Sequence, residues 1–410
     1  GCRIFVSLRP KLRFNTFFCA TIYKKSIKLG EELLGMEVIP SANVGLKINE
    51  WHMYINRFDV RNAEKVKAEV EQMIDVMEEN QDLLIYYQLI EFRHRMMLDY
   101  LFPADPSKKI NKGDYLKKIE GKGKKLSGMM EYYTYFFKGM YDFSVGEYIR
   151  AIQSYKKAEK KLSRVLDEIE KAEFYFKMAE VFYHMKQTHV SMYYVQQAYD
   201  IYKKHDTYKI HRIKCHFVIA GNYDDLRTHD RALSHMKKAL FLLDSMEDHS
   251  PLKAKALLNM GNSYNQMGSL FSAVPYYHKA IKAAKISGAK EITQAYYDLA
   301  LIHFRNNEKI EGRGFFGKAM EQAEEFNDSL FQDLLNVLKA LFIETGSRQK
   351  VMNALEALRT GQGYPYFEEL ALIAAEFYTM DKRMEDSIYF YNEMVCAQRQ
   401  IQRGDFLYEV

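Results

Sequence analysis

The chain shows a repeated pattern of hydrophobic, small and aromatic positions with a period of about 40 residues. Its clearest copy places Leu257, Gly261, Tyr264, Ala273 and Tyr277 at the offsets of a helix–turn–helix unit. The small residues would let two antiparallel helices approach closely, and the tyrosines would fill the space beside that contact. The small position of the second helix recurs at regular spacing, at Ala151, Ser191, Ala232, Ala273 and Gly312.

This unit matches the tetratricopeptide pattern, although each copy is longer than the usual ~34 residues. A late copy falls around Ser387, and the interval after Gly312 leaves room for one degenerate unit at about 330–360. The repeats predict an all-α fold with about seven helical hairpins over 126–410. Stacked hairpins form a right-handed superhelix with a concave face suited to binding.

The segment 36–103 shows a different pattern, which predicts a three-helix bundle with helices over 41–58, 62–77 and 82–101. Asn62 and Asp82 are the expected N-caps. A stretch rich in Pro, Gly and Lys at 104–125 predicts a linker. The third helix is apolar on more than one stripe, so part of it should pack outside the bundle, either on the linker or first repeat or on a partner protein. The residues concerned are Leu84, Ile85, Phe92 and Met96.

The net charge of +5 comes from the N-terminal segment 1–35, which has seven basic and two acidic residues. The remaining chain is formally neutral, whereas a nucleic-acid-binding protein of this size normally has a basic body. We therefore expect no nucleic-acid partner. The residues Gly30–Met36 resemble a translated ribosome-binding region, so we expect Met36 to be the natural start and 1–35 to lie outside the native fold. A genuine flexible extension is the alternative.

The four cysteines are far apart and form no CxxC pair, which favours a reducing, cytoplasmic location over a disulfide framework or a zinc site. No apolar run approaches the ~18 residues of a membrane span, and no secretory signal is indicated. The histidines are scattered, and the motifs GxSxG and HExxH are missing from the sequence. We expect no metal or cofactor bound by this chain.

Amide side chains share one helical face in two neighbouring repeats. Asn259 and Asn262 lie in one repeat, and Asn222 and Asp225 lie in the repeat before it. Amides on a concave wall can bind the N–H and C=O groups of an extended peptide. Ordinary polar contacts between repeats explain the pattern equally well, and the spacing leaves both interpretations open.

Several segments together resemble the Rap family of Bacillus quorum-sensing regulators, from about residue 37 to the end. They are Ile39–Trp51, Met77–Leu84, Glu91–His94, Met185–Thr188, Val218–Asp225 and Gln400–Asp405, of which the last two are most similar to the sporulation-phosphorelay branch. The resemblance implies a three-helix bundle joined to tetratricopeptide repeats. Some members dephosphorylate a response regulator, and others sequester a DNA-binding response regulator without chemistry. A Phr-type pentapeptide bound to the repeats switches off both kinds.

The resemblance places the catalytic glutamine at Gln81, which composition alone would make a solvated turn residue. Glutamine is no general base, but its amide can orient a water for in-line attack on an aspartyl phosphate. The partner receiver domain would supply the Mg²⁺. Many members have Asp before this glutamine, where this chain has Asn80.

Other roles follow from the same resemblance. Response-regulator docking falls on Leu84, Phe92, Met129, Asp167 and Glu170, and peptide binding falls on Asn222, Asp225 and Asn259. We expect an aspartyl-phosphate phosphatase acting on a receiver of a sporulation phosphorelay, with sequestration of a DNA-binding response regulator as the alternative. Bound peptide should draw the bundle onto the repeats and hide the docking side of the third helix.

Overall fold

The computed structural model describes residues 39–101, 128–246, 250–344, 346–360 and 363–402. Across these ranges the regular elements are helices, apart from one isolated bridge between Ile39 and Met77. The prediction of an all-α fold is confirmed. None of the helices in these ranges is long and apolar enough to cross a membrane. The segment 1–35 and the predicted linker 104–125 lie outside the described residues.

Three helices form the N-terminal bundle, namely α1 (Ser41–Asn56), α2 (Val60–Ile74) and α3 (Gln81–Leu101). The expected N-caps Asn62 and Asp82 are wrong. Asp59 accepts the Asn62 N–H and Asn80 accepts the Leu83 N–H, both at 3.1 Å. A capping side chain bonds an N–H two or three residues ahead of it, so each helix begins earlier than the polar residue we chose.

Seven hairpins follow in the described chain. They are α4 (Met129–Ser144) with α5 (Tyr148–Glu159), α6 (Glu168–His184) with α7 (Thr188–Tyr202), α8 (Lys209–Asp225) with α9 (His229–Asp244), α10 (Ser250–Gln266) with α11 (Leu270–Ser287), α12 (Glu291–Arg305) with α13 (Lys309–Glu325), α14 (Ser329–Leu338) with α15 (Arg348–Glu356), and α16 (Tyr364–Met380) with α17 (Met384–Gln402). The sixth hairpin is the degenerate unit, in which α14 continues as a π-helix over Lys339–Ile343.

The small residues allow the close helix contacts that their spacing predicts. A Cβ on Gly261 would lie 2.7 Å from the ring of Tyr277, whose side chain is fully buried between α10 and α11. The hydroxyl of Tyr277 donates to Asn262 Oδ1 at 2.9 Å, which fixes the ring. Glycine at 261 therefore sets the distance between the two helices.

The bundle packs directly onto the first repeats. One hydrophobic core contains Trp51 and Phe92 from the bundle together with Phe136 and Phe174 from the repeats. Phe58 of the α1–α2 turn also contacts His211 of α8, with ring centroids 5.3 Å apart. A second core continues through the later hairpins. In this conformation the second apolar stripe of α3 packs on the repeats. This agrees with the first of our two interpretations, in which the stripe is covered within the chain.

Candidate functional site

Gln81 is exposed and is the first residue of α3. The segment before it is tied to the start of α1, because Ile39 donates its N–H to Val76 O at 3.0 Å and accepts the Glu78 N–H at 3.1 Å. The Glu78 carboxylate also accepts the Ser41 N–H at 3.2 Å. These bonds hold the α2–α3 connection in place at the surface of the bundle.

The amide of Gln81 has a local partner. Its Nε2 donates to Glu79 Oε1 at 3.3 Å, which directs the carbonyl oxygen Oε1 away from Glu79. Asn80 has a structural role, because its Oδ1 caps α3 and its Nδ2 donates to Ser41 Oγ at 3.3 Å. An exposed amide at the first turn of a long helix can bind a water on one side and an anion on the other.

Three of the predicted docking residues remain accessible in part. Leu84 lies one turn after Gln81 on the same face of α3 and is half-buried. Met129, the first residue of α4, is also half-buried. Asp167 is exposed and caps α6 by accepting the Ile169 N–H at 2.8 Å. A partner can reach these side chains with the bundle in its present position.

The other two predicted docking residues are buried where the bundle meets the repeats. Phe92 is fully buried and Glu170 is 3% exposed. Glu170 lies 3.4 Å from Tyr132 Oη and 3.9 Å from His52 Nε2. Burial and then the charge of Glu173 raise the pKa of Glu170 to about 8. A partner protein would reach Phe92 and Glu170 only after the bundle separates from the repeats.

A buried ion pair joins the bundle to α6. Arg93 Nη2 lies 2.9 Å from Glu173 Oε1, while Tyr202 donates to Glu173 Oε2 at 3.1 Å and His211 Nε2 lies 3.5 Å from the same oxygen. Burial alone would raise the pKa of Glu173, but the Arg93 charge and the His211 contact hold it well below its usual value. Sequence reasoning missed this pair. The one signal available was an arginine within the apolar third helix.

A cavity of about 650 Å³ opens between α3 and the inner wall of the repeats. Met96 and Tyr100 line it from the bundle, and Asn262 and Glu369 line it from the repeats. Lys214 also lines it, with its ammonium 4.8–5.1 Å from the ring centroids of Phe58, Tyr100 and Phe176. Burial and the nearby charge of Lys177 lower the pKa of Lys214 to about 8. The cavity therefore has charged walls and is bounded in part by the bundle.

The predicted peptide-binding residues lie outside the lining of this cavity, although Asp225 pairs with Lys186, which does line it. Asn222 is buried and donates to Ser191 Oγ at 2.8 Å, while its Oδ1 is buried without a partner among the described residues. Asp225 Oδ1 lies 2.8 Å from Lys186 Nζ, and its Oδ2 is buried and likewise unpartnered there. Asn259 is half-buried. Both interpretations of the polar pattern therefore apply. Asn222 and Asp225 make contacts between repeats, and each also has an oxygen that lacks a partner among the described residues.

The part of the chain that the structure describes contains no group of three His, Cys, Asp or Glu side chains able to hold a metal ion. The two carboxylates shortly before Gln81 in sequence are engaged locally, Glu78 with the Ser41 N–H and Glu79 with Gln81 itself. At this end of α3, Gln81 presents an exposed amide.

Comparisons with known proteins agree on one family. A family model described as response regulator aspartate phosphatase H, N terminal, matches residues 38–99. Response regulator aspartate phosphatase E of Bacillus subtilis (strain 168) is 49% identical over 375 residues, covering 91% of this chain and 99% of that protein. Response regulator aspartate phosphatase A of the same organism is 44% identical over 375 residues, with the same coverage of both chains.

Solved structures give the same result. The crystal structure of a Rap protein complexed with competence and sporulation factor has a TM-score of 0.83 at 36% identity, covering 88% of this chain and 99% of that one. The apo form of RapI has a TM-score of 0.61 at 34% identity, with the same coverage. Given this identity over nearly the full length of its relatives, the chain belongs to the Rap family of response regulator aspartate phosphatases.

Proposed function

We propose that this chain hydrolyses the aspartyl phosphate of a response-regulator receiver protein, and that a Phr-type signalling pentapeptide bound in the repeats inhibits it. The observation that carries the proposal is Gln81, an exposed amide fixed at the start of α3 within the segment that the phosphatase model matches. The receiver would be one of a sporulation phosphorelay. Such a partner places the protein in the cytoplasm.

In the proposed reaction, the Gln81 carbonyl oxygen accepts a hydrogen bond from a water and holds it in line with the aspartyl–phosphorus bond. The new bond forms between the water oxygen and phosphorus, and the aspartate leaves as a carboxylate while inorganic phosphate is released. The amide takes no proton, so its contribution is positioning. The positive end of the α3 dipole favours an anion at this position, and the Mg²⁺ belongs to the receiver.

The peptide would occupy the cavity between α3 and the repeats and extend past Lys186 of its wall to Asp225. A volume of about 650 Å³ lies within the ~300–1,000 Å³ common for ligand sites. Asn222 Oδ1 and Asp225 Oδ2 are buried acceptors that lack partners among the described residues, and the N–H groups or a basic side chain of a peptide would satisfy them. Asn259 would contribute a further amide.

Inhibition would follow from the position of the bundle. The structure buries Phe92 and Glu170, so a receiver that needs them cannot dock fully while the bundle is packed on the repeats. We infer that peptide binding favours this arrangement and that the active form has the bundle separated. Small-angle scattering should show compaction when peptide is added, and an unchanged radius of gyration would count against this switch.

A Gln81→Ala variant tests the chemistry. It should bind the phosphorylated receiver with wild-type affinity but release no label from it. The matched control is Gln196→Ala, an exposed glutamine on α7, which should keep full activity. If Gln81→Ala releases phosphate at the wild-type rate, the mechanism is wrong. If the wild-type chain binds receivers and releases no label from any, the sequestering function replaces the phosphatase.

An Asp225→Ala variant tests the peptide site. It should keep basal phosphatase activity and lose inhibition by peptide, because the acceptor for a basic side chain is removed. Lys186→Met, which removes the cation paired with Asp225, should keep inhibition. Equal inhibition of wild type and Asp225→Ala at the same peptide concentration would place the peptide elsewhere.

A further inference from the structure

Two glutamates on α6 lie where the bundle meets the repeats, in unlike surroundings. Glu173 contacts the Arg93 guanidinium, which compensates its charge. Glu170 lies one turn earlier and is equally buried, but its contacts in the described structure are the Tyr132 hydroxyl and the His52 imidazole. A buried carboxylate without a cationic partner is unfavourable, whereas a buried carboxylic acid is tolerated.

Every helix packed against Glu170 contributes to its environment. The titratable and charged groups that face it are His52 from α1, Tyr86 and Arg93 from α3, Tyr132 and Tyr133 from α4, Asp167 and Glu173 from α6 itself, Tyr202 from α7, and Tyr208 just before α8. Burial and the charge of Glu173 outweigh the opposing charge of Arg93, so the pKa of Glu170 rises from 4.5 to about 8. Burial and the Arg93 charge lower the pKa of His52 to about 3, so its imidazole is neutral.

We propose that packing the bundle onto the repeats takes up one proton at Glu170, so that the bundle separates from the repeats more readily as the pH rises. The neutral carboxyl would accept from Tyr132, and its second oxygen lies 3.9 Å from the neutral His52 imidazole. With the bundle separated, Glu170 would face water and be ionised at neutral pH. This inference rests on the bundle movement that the proposed function includes.

The size of the effect follows from proton linkage. The packed state binds the proton more tightly, so it is favoured at low pH and loses its advantage as the pH rises towards 8. Each pH unit changes the ratio of packed to separated molecules about tenfold while one proton is taken up on packing. From pH 6.5 to pH 8 the contribution of Glu170 to this ratio should fall about 15-fold, because the acid is already half ionised in the packed state at pH 8.

Other groups limit this window. Below about pH 6.5, His52 would be protonated in the separated state and would lose that proton on packing, which cancels the uptake at Glu170. Above about pH 8, Lys214 has the opposite effect. Its lowered pKa in the packed state means that packing releases a proton there. The range between pH 6.5 and 8 therefore reports on Glu170.

Two isosteric substitutions on the same helix shift the equilibrium in opposite directions. Glu170→Gln mimics the protonated acid, so the bundle should stay packed and show no pH dependence in this window. Glu173→Gln leaves Arg93 buried without its carboxylate, so the bundle should separate at every pH. Because the two variants shift the equilibrium in opposite senses, at least one lies in the measurable range wherever the wild-type balance falls.

The experiment is small-angle scattering of the full chain without peptide, from pH 6.5 to 8.0, for wild type and both variants. The radius of gyration of wild type should grow with pH, that of Glu170→Gln should stay small, and that of Glu173→Gln should be large. The proposal is overturned if Glu170→Gln follows the wild-type titration, or if Glu173→Gln expands while wild type and Glu170→Gln stay identical throughout. If none of the three expands, the bundle movement itself fails and the proposed inhibition fails with it.

Discussion

Substituting Gly261 by alanine tests the helix contact on which the repeat pattern depends. The new Cβ would lie 2.7 Å and 2.8 Å from two ring carbons of Tyr277. The ring cannot move easily, because it is fully buried and its hydroxyl is bonded to Asn262. Overpacking of this kind costs about 1–3 kcal/mol, and the better helix propensity of alanine returns about 1 kcal/mol. We expect a net loss of up to about 2 kcal/mol.

Gly314 provides the matched control, since it also lies inside a helix, α13, and an added Cβ would meet nothing within 4 Å. Gly314→Ala should therefore stabilise the chain by about 0.5–1 kcal/mol. Urea unfolding followed by circular dichroism at constant pH measures both variants. Gly261→Ala should unfold at lower urea than wild type, and Gly314→Ala at higher urea. If the urea midpoint of Gly261→Ala equals or exceeds that of Gly314→Ala, the spacing between α10 and α11 is not set by Gly261.

Three further substitutions or conditions give definite expectations. Arg93→Leu leaves Glu173 buried without its cation and should destabilise the packed bundle by about 3–5 kcal/mol. Apolar surface is exposed when the bundle separates, so this variant should bind more of a hydrophobic dye than wild type. The control is Arg95→Leu, which removes a partly exposed pair with Glu91 and should change the stability of the packed bundle by less than ~0.5 kcal/mol. Lys214→Met should raise the free energy of unfolding at pH 7 by about 1–3 kcal/mol, because burial disfavours the ammonium more than the three rings favour it. The urea midpoint should therefore rise, and a lower midpoint would contradict that balance. Acid should loosen the bundle between about pH 6.5 and 4, because burial lowers the pKa of His94 to about 4 and its neutral Nδ1 accepts from Trp51. The emission of Trp51, the single tryptophan, should shift to the red over that pH range at an intermediate urea concentration. An emission spectrum that does not change with pH would contradict this role of His94.

The repeats could be predicted from the sequence because each hairpin is specified locally. Small residues such as Ala273 and Gly312 mark the close contact inside a unit, and their spacing fixes where the next unit begins. The same spacing indicated a degenerate unit at about 330–360, and the structure has a hairpin from Ser329 to Glu356. A π-helix within that unit explains why its pattern was weak.

The contact between the bundle and the repeats could not be predicted in the same way. Arg93 and Glu173 are 80 residues apart in sequence, and no periodicity relates them. The apolar second stripe of α3 showed that something covers Phe92 but did not decide between a repeat and a partner protein. The role of Gln81 could not be predicted from the sequence pattern either. An exposed amide at a helix start looks like any solvated polar residue, so only the family resemblance marks it.

One helix connects the proposed chemistry to the proposed control. With 21 residues, α3 is about 30 Å long, and Gln81 and Leu84 lie at its first turn while Met96 and Tyr100 line the cavity near its end. A hydrogen-bonded helix of this length moves nearly as a rigid rod, so a ligand that changes how Tyr100 packs must also move Gln81 unless α3 bends. The buried Arg93 lies between the two ends and is tied to the repeats. The ion pair with Glu173 therefore anchors α3 between its two ends, and with it the position of the proposed catalytic amide.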